Sequence, residues 1–355
     1  LPLAVLLSFI FRRIFGSNFV RRSLLVFTLA WAVGAIAYAQ EPRQLRIGII
    51  GCDTSHAIAF IQIFHDPKLD AASEPDLANC KVVAAFPGGS PDLPVSRDRV
   101  VKFTAELRDK LNIEIVDSID ALLPKVDAVL LLSVDGRVHL KQAAAVLKAR
   151  KPVYVDKPLA ASLADALAIV EMAKESKTPL MSCSSLRYGK GVDAIKSDPK
   201  IGTVLGCLTY GPGTYAPHHP DLAFYGIHGL ELLYALMGPG CESITRVHTK
   251  DTDVLTGTWK DGRVATYRGI RAGKADFGAT VFGVNGVVHA QPYDGYKPML
   301  REVAKFFRTG TSPISPEEMI EVIAVIEAAD LSKNNGGGPV SIAEVIKATR
   351  PSPRP

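Results

Sequence analysis

Residues 45–56 read Leu45-Arg-Ile-Gly48-Ile-Ile-Gly51-Cys52-Asp53-Thr54-Ser55-His56, an apolar run that breaks at a glycine and gives way to small polar residues. The run is too short for a helix and rich in β-branched side chains, so Leu45–Ile50 is predicted as a strand. Helical spacing follows from about Ala57 to His65. A strand that turns through glycine into a helix is half of a βαβ unit, and the chain beyond it repeats the theme. Lys81–Phe86 reads as a second strand, Arg97–Leu111 as a helix, Glu114–Val116 as a short strand and Ala128–Leu132 as a buried one. Val138–Ala149 is then helical, Val153–Val155 a strand, Leu163–Ser176 a helix and Leu180–Ser182 the last strand of the series. Unbroken apolar runs such as Ala128–Leu132 suit parallel strands covered on both faces.

After Arg187 the period changes. Apart from a helix at Gly226–Met237, the next hundred or so residues alternate as antiparallel strands do. Lys260-Asp261-Gly262-Arg263 and Asn285-Gly286 sit between such runs and predict two-residue hairpin turns, whose positive φ angles these residues tolerate. Helices at about Met299–Thr309 and Glu317–Lys333 close the pattern, with a turn at Asn334–Gly338. The expected fold class is α/β: a Rossmann-type parallel sheet domain over 44–186, then an α+β domain with a mostly antiparallel open sheet over 187–346, and a tail over 347–355.

Composition narrows the function classes. At 355 residues, 47% hydrophobic and 22% charged, the chain can bury about two cores. Its 41 basic residues against 36 acidic ones suggest a polyanion partner until the charges are located. Residues 1–39 hold Arg12, Arg13, Arg21 and Arg22 and no acid, so the remainder carries 37 basic against 36 acidic groups. A nearly neutral body lacks the basic footprint of nucleic-acid binding, and no nucleic-acid partner is expected.

Arg21-Arg22, the apolar run Ser23–Ala37 and Ala37-Tyr38-Ala39 form the charged, hydrophobic and cleavage regions of an export signal. The uncharged run is short for a membrane span, so a cleaved leader over 1–39 and an exported, periplasmic or secreted bacterial protein are expected, with no stable span after cleavage. Cys52, Cys80, Cys183, Cys207 and Cys241 form no C-x-x-C pair and read as small buried residues.

The turn after strand one is where a dinucleotide-binding fold holds a pyrophosphate, at the positive end of a helix. In the G-x-G-x-x-G register Gly51 is the first glycine, while Asp53 and His56 stand at the second and third. A carboxylate at the second position repels phosphates unless it turns away, and Thr54 and Ser55 offer hydroxyls instead. Gly51, Cys52, Asp53, Thr54, Ser55 and His56 are therefore cofactor-binding candidates. Strand two runs into Phe86-Pro87-Gly88-Gly89-Ser90, without the acid that bonds the ribose of NAD, and leaves NAD and NADP both open.

Farther along stand Ser133-Val134-Asp135, His139, and Lys151-Pro-Val-Tyr-Val-Asp156-Lys157-Pro158. A lysine at the C-terminal edge of a parallel sheet lies in the crevice where ligands bind. With Asp156-Lys157-Pro158 in place of a Glu-Lys-Pro tripeptide, the chain resembles the Gfo/Idh/MocA family of sugar and inositol dehydrogenases from Leu45 to about Ile346. The resemblance implies NAD or NADP as cofactor, Ser133, Asp135, His139, Asp156 and Lys157 near it, and Lys157 reaching nicotinamide and substrate. Gly226-Ile-His228-Gly-Leu-Glu231 resembles the family's D-x-G-x-H-x-x-D helix, which makes His228 the second catalytic candidate and puts Phe224 where the family has aspartate. Arg187, His218, His219 and Glu231 are substrate-binding candidates, with an interdomain ion pair as the other reading of Arg187. His218, His219 and Asp221 with His228 and Glu231 lack a diagnostic metal spacing, and no metal is expected. The implied function is hydride transfer on a carbohydrate or polyol by a homo-oligomer. The alternatives are a redox-neutral glycosidase or lyase that returns the hydride, and a sugar-binding protein without catalysis.

Overall fold

The computed structural model describes residues 44–290 and 293–350, so the leader expected over 1–39 and the chain end from Pro351 lie outside the described residues. Six strands form a fully parallel sheet: β1 (Leu45–Ile50), β2 (Cys80–Phe86), β3 (Glu114–Ile115), β4 (Ala128–Leu131), β5 (Val153–Asp156) and β6 (Leu180–Cys183). Their order is β3-β2-β1-β4-β5-β6, so the winding reverses between β1 and β4. Ile47, Ile49, Val129, Leu130, Tyr154 and Val155 are fully buried, as expected of central strands with helices on both faces. Those helices include α1 (Ser55–Phe64), α2 (Pro94–Asp109), α3 (His139–Lys148) and α4 (Leu163–Ser176).

The first helix starts two residues earlier than its apolar spacing predicts, because Thr54 caps it by accepting from the His56 N–H at 3.2 Å. That brings Ser55 and His56 into the first turn. Gly51 is required where it stands: its φ is +94°, and a Cβ there would lie 2.2 Å from the backbone nitrogen of Ser133. The loop after β1 is thus pressed against the loop after β4.

The second sheet has the order β12-β11-β7-β10-β9-β8-β13, from β7 (Val204–Pro212), β8 (Cys241–His248), β9 (Thr252–Trp259), β10 (Val264–Ile270), β11 (Gly278–Gly283), β12 (Val287–Ala290) and β13 (Val340–Ser341). Every neighbouring pair is antiparallel except β7 with β10. Neither expected two-residue turn forms. Between β9 and β10 only Gly262 has a positive φ, and the Trp259 N–H bonds to Arg263 O across a longer loop. At Asn285-Gly286 neither residue is left-handed, because the Val284 and Asn285 amides are tied to Thr203 O and Ile201 O on the approach to β7.

Helix α5 (Gly226–Met237) packs across β7 and β10. Gly229 makes this approach close, since a Cβ there would sit 2.1 Å from the Tyr267 ring. The neighbouring His228 is thereby set toward the C-terminal edge of the first sheet. Helices α6 (Lys297–Thr309) and α7 (Pro316–Asn334) complete the core, and a further helix at Ile342–Thr349 continues past the expected start of the tail. All five cysteines are buried and free. Among the described residues no helix is long and apolar enough to cross a membrane.

Candidate active site

A cavity of about 300 Å³ opens where the chain ends of β1, β4 and β5 meet α5 and the start of α6. It lies at the reversal of the strand order, where open α/β sheets bind ligands. Thr54, Ser55 and His56 reach it from the start of α1, Asp156 and Lys157 from the end of β5, and His228 from α5.

Lys157 directs its ammonium into this space, 5.8 Å above the Tyr225 ring. Among the described residues it makes no hydrogen bond or ion pair, and it is not among the buried groups lacking a partner, so solvent in the cavity reaches it. Desolvation lowers its pKa, opposed by the charge of Asp156. The carboxylate itself receives His56 Nδ1 at 2.6 Å. Burial pushes the Asp156 carboxyl up, but the charge and hydrogen bond of His56, then Lys157, bring it down to about 2. The His56 ring is held in place by stacking on Phe60 and an edge contact with Tyr296.

His228 shares a 2.8 Å hydrogen bond between Nδ1 and Ser184 Oγ, which leaves Nε2 open to the cavity. Burial, then Lys157 and His56, push its pKa well below the ordinary histidine value. Phe224 lines the cavity where the resembled pattern has a carboxylate, so nothing acidic follows the ring from that side.

Several expected cofactor contacts are instead packed beneath the cavity floor. Asp53 is fully buried and turned away from it: one oxygen accepts from the Ser96 hydroxyl at 2.6 Å, the other from the Val134 N–H at 3.1 Å. Cys52 is fully buried with its thiol toward Phe86 O. Ser133 donates to the Gln142 side chain, and His139 spans three carbonyls, those of Ser133, Pro158 and Leu159. Asp135 is paired with Arg137, which also holds Asp92. Burial works against that carboxyl, yet the His219 and Arg137 contacts hold it far below the usual carboxylate range. These groups, with Gly51, fix the shape of the loops instead of facing a ligand.

None of the four expected substrate residues lines the cavity. Arg187 and Glu231 are buried in an ion pair, and Arg187 Nη1 also bonds Glu318 at 2.6 Å, so the guanidinium ties the end of the first sheet to α5 and α7. His218 is exposed. The His219 ring lies 3.1 Å from Asp135, too oblique for a hydrogen bond, and bonds the carbonyl of Pro217 through Nδ1. Sequence reasoning in turn passed over Tyr225, Phe277, Tyr293 and Tyr296, whose aromatic side chains wall the cavity, and Val95 and Leu186.

A nicotinamide cofactor is compatible with these residues. The one misplaced charge, Asp53, is sequestered, and the N-terminus of α1, whose dipole favours phosphate oxygens, opens on the cavity through Thr54 and Ser55. Arg99, exposed at the cavity wall without an ion-pair partner, adds a cation. The cavity volume of about 300 Å³ is at the low end for ligand sites and suits the reacting end of a nucleotide rather than the whole of it.

Residues 45–183 match a family described as oxidoreductases with an NAD-binding Rossmann fold, the Gfo/Idh/MocA group. The inositol 2-dehydrogenase 2 of Mycolicibacterium vanbaalenii is 39% identical over 185 residues, which is 49% of this chain and 53% of that protein. The chain thus spans about half the length of the curated relative it matches. The myo-inositol 2-dehydrogenase structure from Lactobacillus plantarum has a TM-score of 0.67 at 17% identity, covering 84% of this chain and 99% of that one. An oxidoreductase from Agrobacterium radiobacter, solved with NAD+, L-tartaric acid and magnesium, has a TM-score of 0.65 at 17% identity, covering 85% and 99%. At such identities the structural likeness shows a shared fold. The residue match is the stronger finding: residues 45–183 match the NAD-binding Rossmann fold of the Gfo/Idh/MocA oxidoreductases.

Proposed function

We propose that the protein is an NAD(P)-dependent oxidoreductase that oxidises a secondary hydroxyl of a sugar or cyclic polyol. The observation that carries this reading is the unpaired Lys157 ammonium, sunk in a cavity at the strand-order reversal with His228 beside it. A bound nicotinamide would supply the hydride acceptor. Lys157 donates a hydrogen bond to the reacting oxygen and stabilises the negative charge that grows there. His228 offers its free Nε2 to the same oxygen or its neighbour.

The cavity walls support the substrate class. Tyr225, Phe277, Tyr293 and Tyr296 line the cavity with aromatic rings, which suit the C–H face of a saturated ring, and the three tyrosine hydroxyls suit its edge. The inositol dehydrogenase relative points the same way.

The full chain, mixed with NAD+ or NADP+ and myo-inositol or a panel of related polyols and sugars, is expected to develop the near-ultraviolet absorbance of reduced nicotinamide. A purified chain that carries neither nucleotide by mass spectrometry and binds neither by calorimetry would remove the mechanism.

A further inference from the structure

His228 is a poor final holder of a proton in this site. Its Nδ1 is shared with a neutral hydroxyl, Phe224 leaves it without a carboxylate, and the Lys157 ammonium stands against an added positive charge. The histidine that does have a carboxylate is His56. Its Nδ1 lies 2.6 Å from Asp156 Oδ2, so the ring hydrogen belongs on that nitrogen and the lone pair on Nε2. Nε2 has no partner among the described residues, is not a buried orphan, and belongs to a ring that lines the cavity with Lys157. Stacking on Phe60 and the edge contact with Tyr296 fix the ring plane. A carboxylate that orients an imidazole and stabilises its protonated form is the arrangement by which histidine serves as a general base.

Resting on the hydride-transfer reading above, we propose that His56, oriented by Asp156, is the general base of this site and takes the proton of the reacting hydroxyl at Nε2, in place of His228. The substrate O–H bond breaks with its proton passing to Nε2, the C–H bond breaks with both electrons leaving as hydride for an oxidised nicotinamide, and the C=O bond forms. A ketone, a reduced nicotinamide and an imidazolium paired with Asp156 balance the step. Lys157 stays protonated throughout and holds the oxygen. The third position of the glycine pattern, occupied by histidine, is then part of the chemistry.

The charged and titratable groups around the His56 ring are Asp156 and Lys157 from β5, His228 and Tyr225 from α5 and the residue before it, Tyr293 and Tyr296 before α6, and Arg99 on the cavity wall. Nitrogen-15 spectra of the histidine rings in the full chain read their protonation without turnover. They are expected to place the His56 ring hydrogen on Nδ1, against Asp156, with Nε2 bare, and to show His228 neutral. With NAD+ and myo-inositol, His56→Gln is expected to lose turnover about 10²–10⁴-fold. His56→Phe, which retains the stacking, is the second variant should glutamine disturb the fold. A His56 ring hydrogen found on Nε2, or full turnover in either His56 variant while His228→Gln is inert, overturns the proposal and leaves the oxidoreductase reading intact. Absence of nucleotide binding in the unmodified chain overturns both.

Discussion

Lys157→Met is expected to give a protein that folds at least as well as the unmodified chain and no longer turns over. The ammonium is desolvated, has no ion pair among the described residues and rests above the Tyr225 ring, and the charge of Asp156 offsets only part of this, so it is a net cost of the fold. Its pKa is lower folded than unfolded, which means the folded state binds this proton less tightly. The penalty is present at neutral pH and is relieved only as pH rises through the lowered folded value toward 10.5. Methionine removes the charge and keeps the stem packed, so the thermal midpoint should hold or rise. Turnover should fall by about 10²–10³-fold or more, the scale of losing a preorganised donor to the reacting oxygen. Scanning calorimetry beside steady-state kinetics checks both halves, and a variant with unchanged turnover takes Lys157 out of the chemistry.

Arg187→Met should do the reverse, costing stability first. The guanidinium is buried between Glu231 and Glu318, and removing it strands two carboxylates in a place with little water. Breaking one partner of a buried pair costs about 3–5 kcal/mol, which denaturant unfolding measures directly. Replacing Arg187 and Glu231 together with methionine and leucine should recover much of that loss, since an apolar pair leaves only the more accessible Glu318 carboxylate behind. A substrate contact predicts a different pattern: a raised KM, little change in unfolding and no rescue by the double variant. Here the carboxylates on α5 and α7 decide for a structural clasp between the first sheet and the helices of the second.

The parallel sheet was legible in the sequence because its strands are short unbroken apolar runs, a pattern that little else in a globular chain produces. That Lys157 and His228 reach one cavity was legible because each sits in a local motif whose place on the fold is fixed by the strand or helix next to it. What was not legible is pairing over distance. Asp156 meets His56 across 100 positions, and Glu231 meets Arg187 across 44, so residue type alone could not show that one side chain holds the other, or separate a substrate contact from an ion pair. Asp53 reads as an obstacle to phosphates until Ser96 and the Val134 amide are seen to hold it inward. The aromatic wall was missed for a related reason: Tyr225, Phe277, Tyr293 and Tyr296 come from three separate loops and look in sequence like ordinary core side chains. The turns at Asp261-Gly262 and Asn285-Gly286 were placed correctly and typed wrongly, since hydrogen bonds to the approach to β7 reshape the second of them.

The account turns on where a nicotinamide ring binds. A crystal structure of the full chain grown with NADH tests this directly. The ring is expected in the cavity between His56, Lys157 and His228, with the Lys157 ammonium on the substrate side of the ring and the phosphates at the start of α1. A nucleotide bound elsewhere, or a cavity that stays closed to it at saturating NADH, would contradict the account.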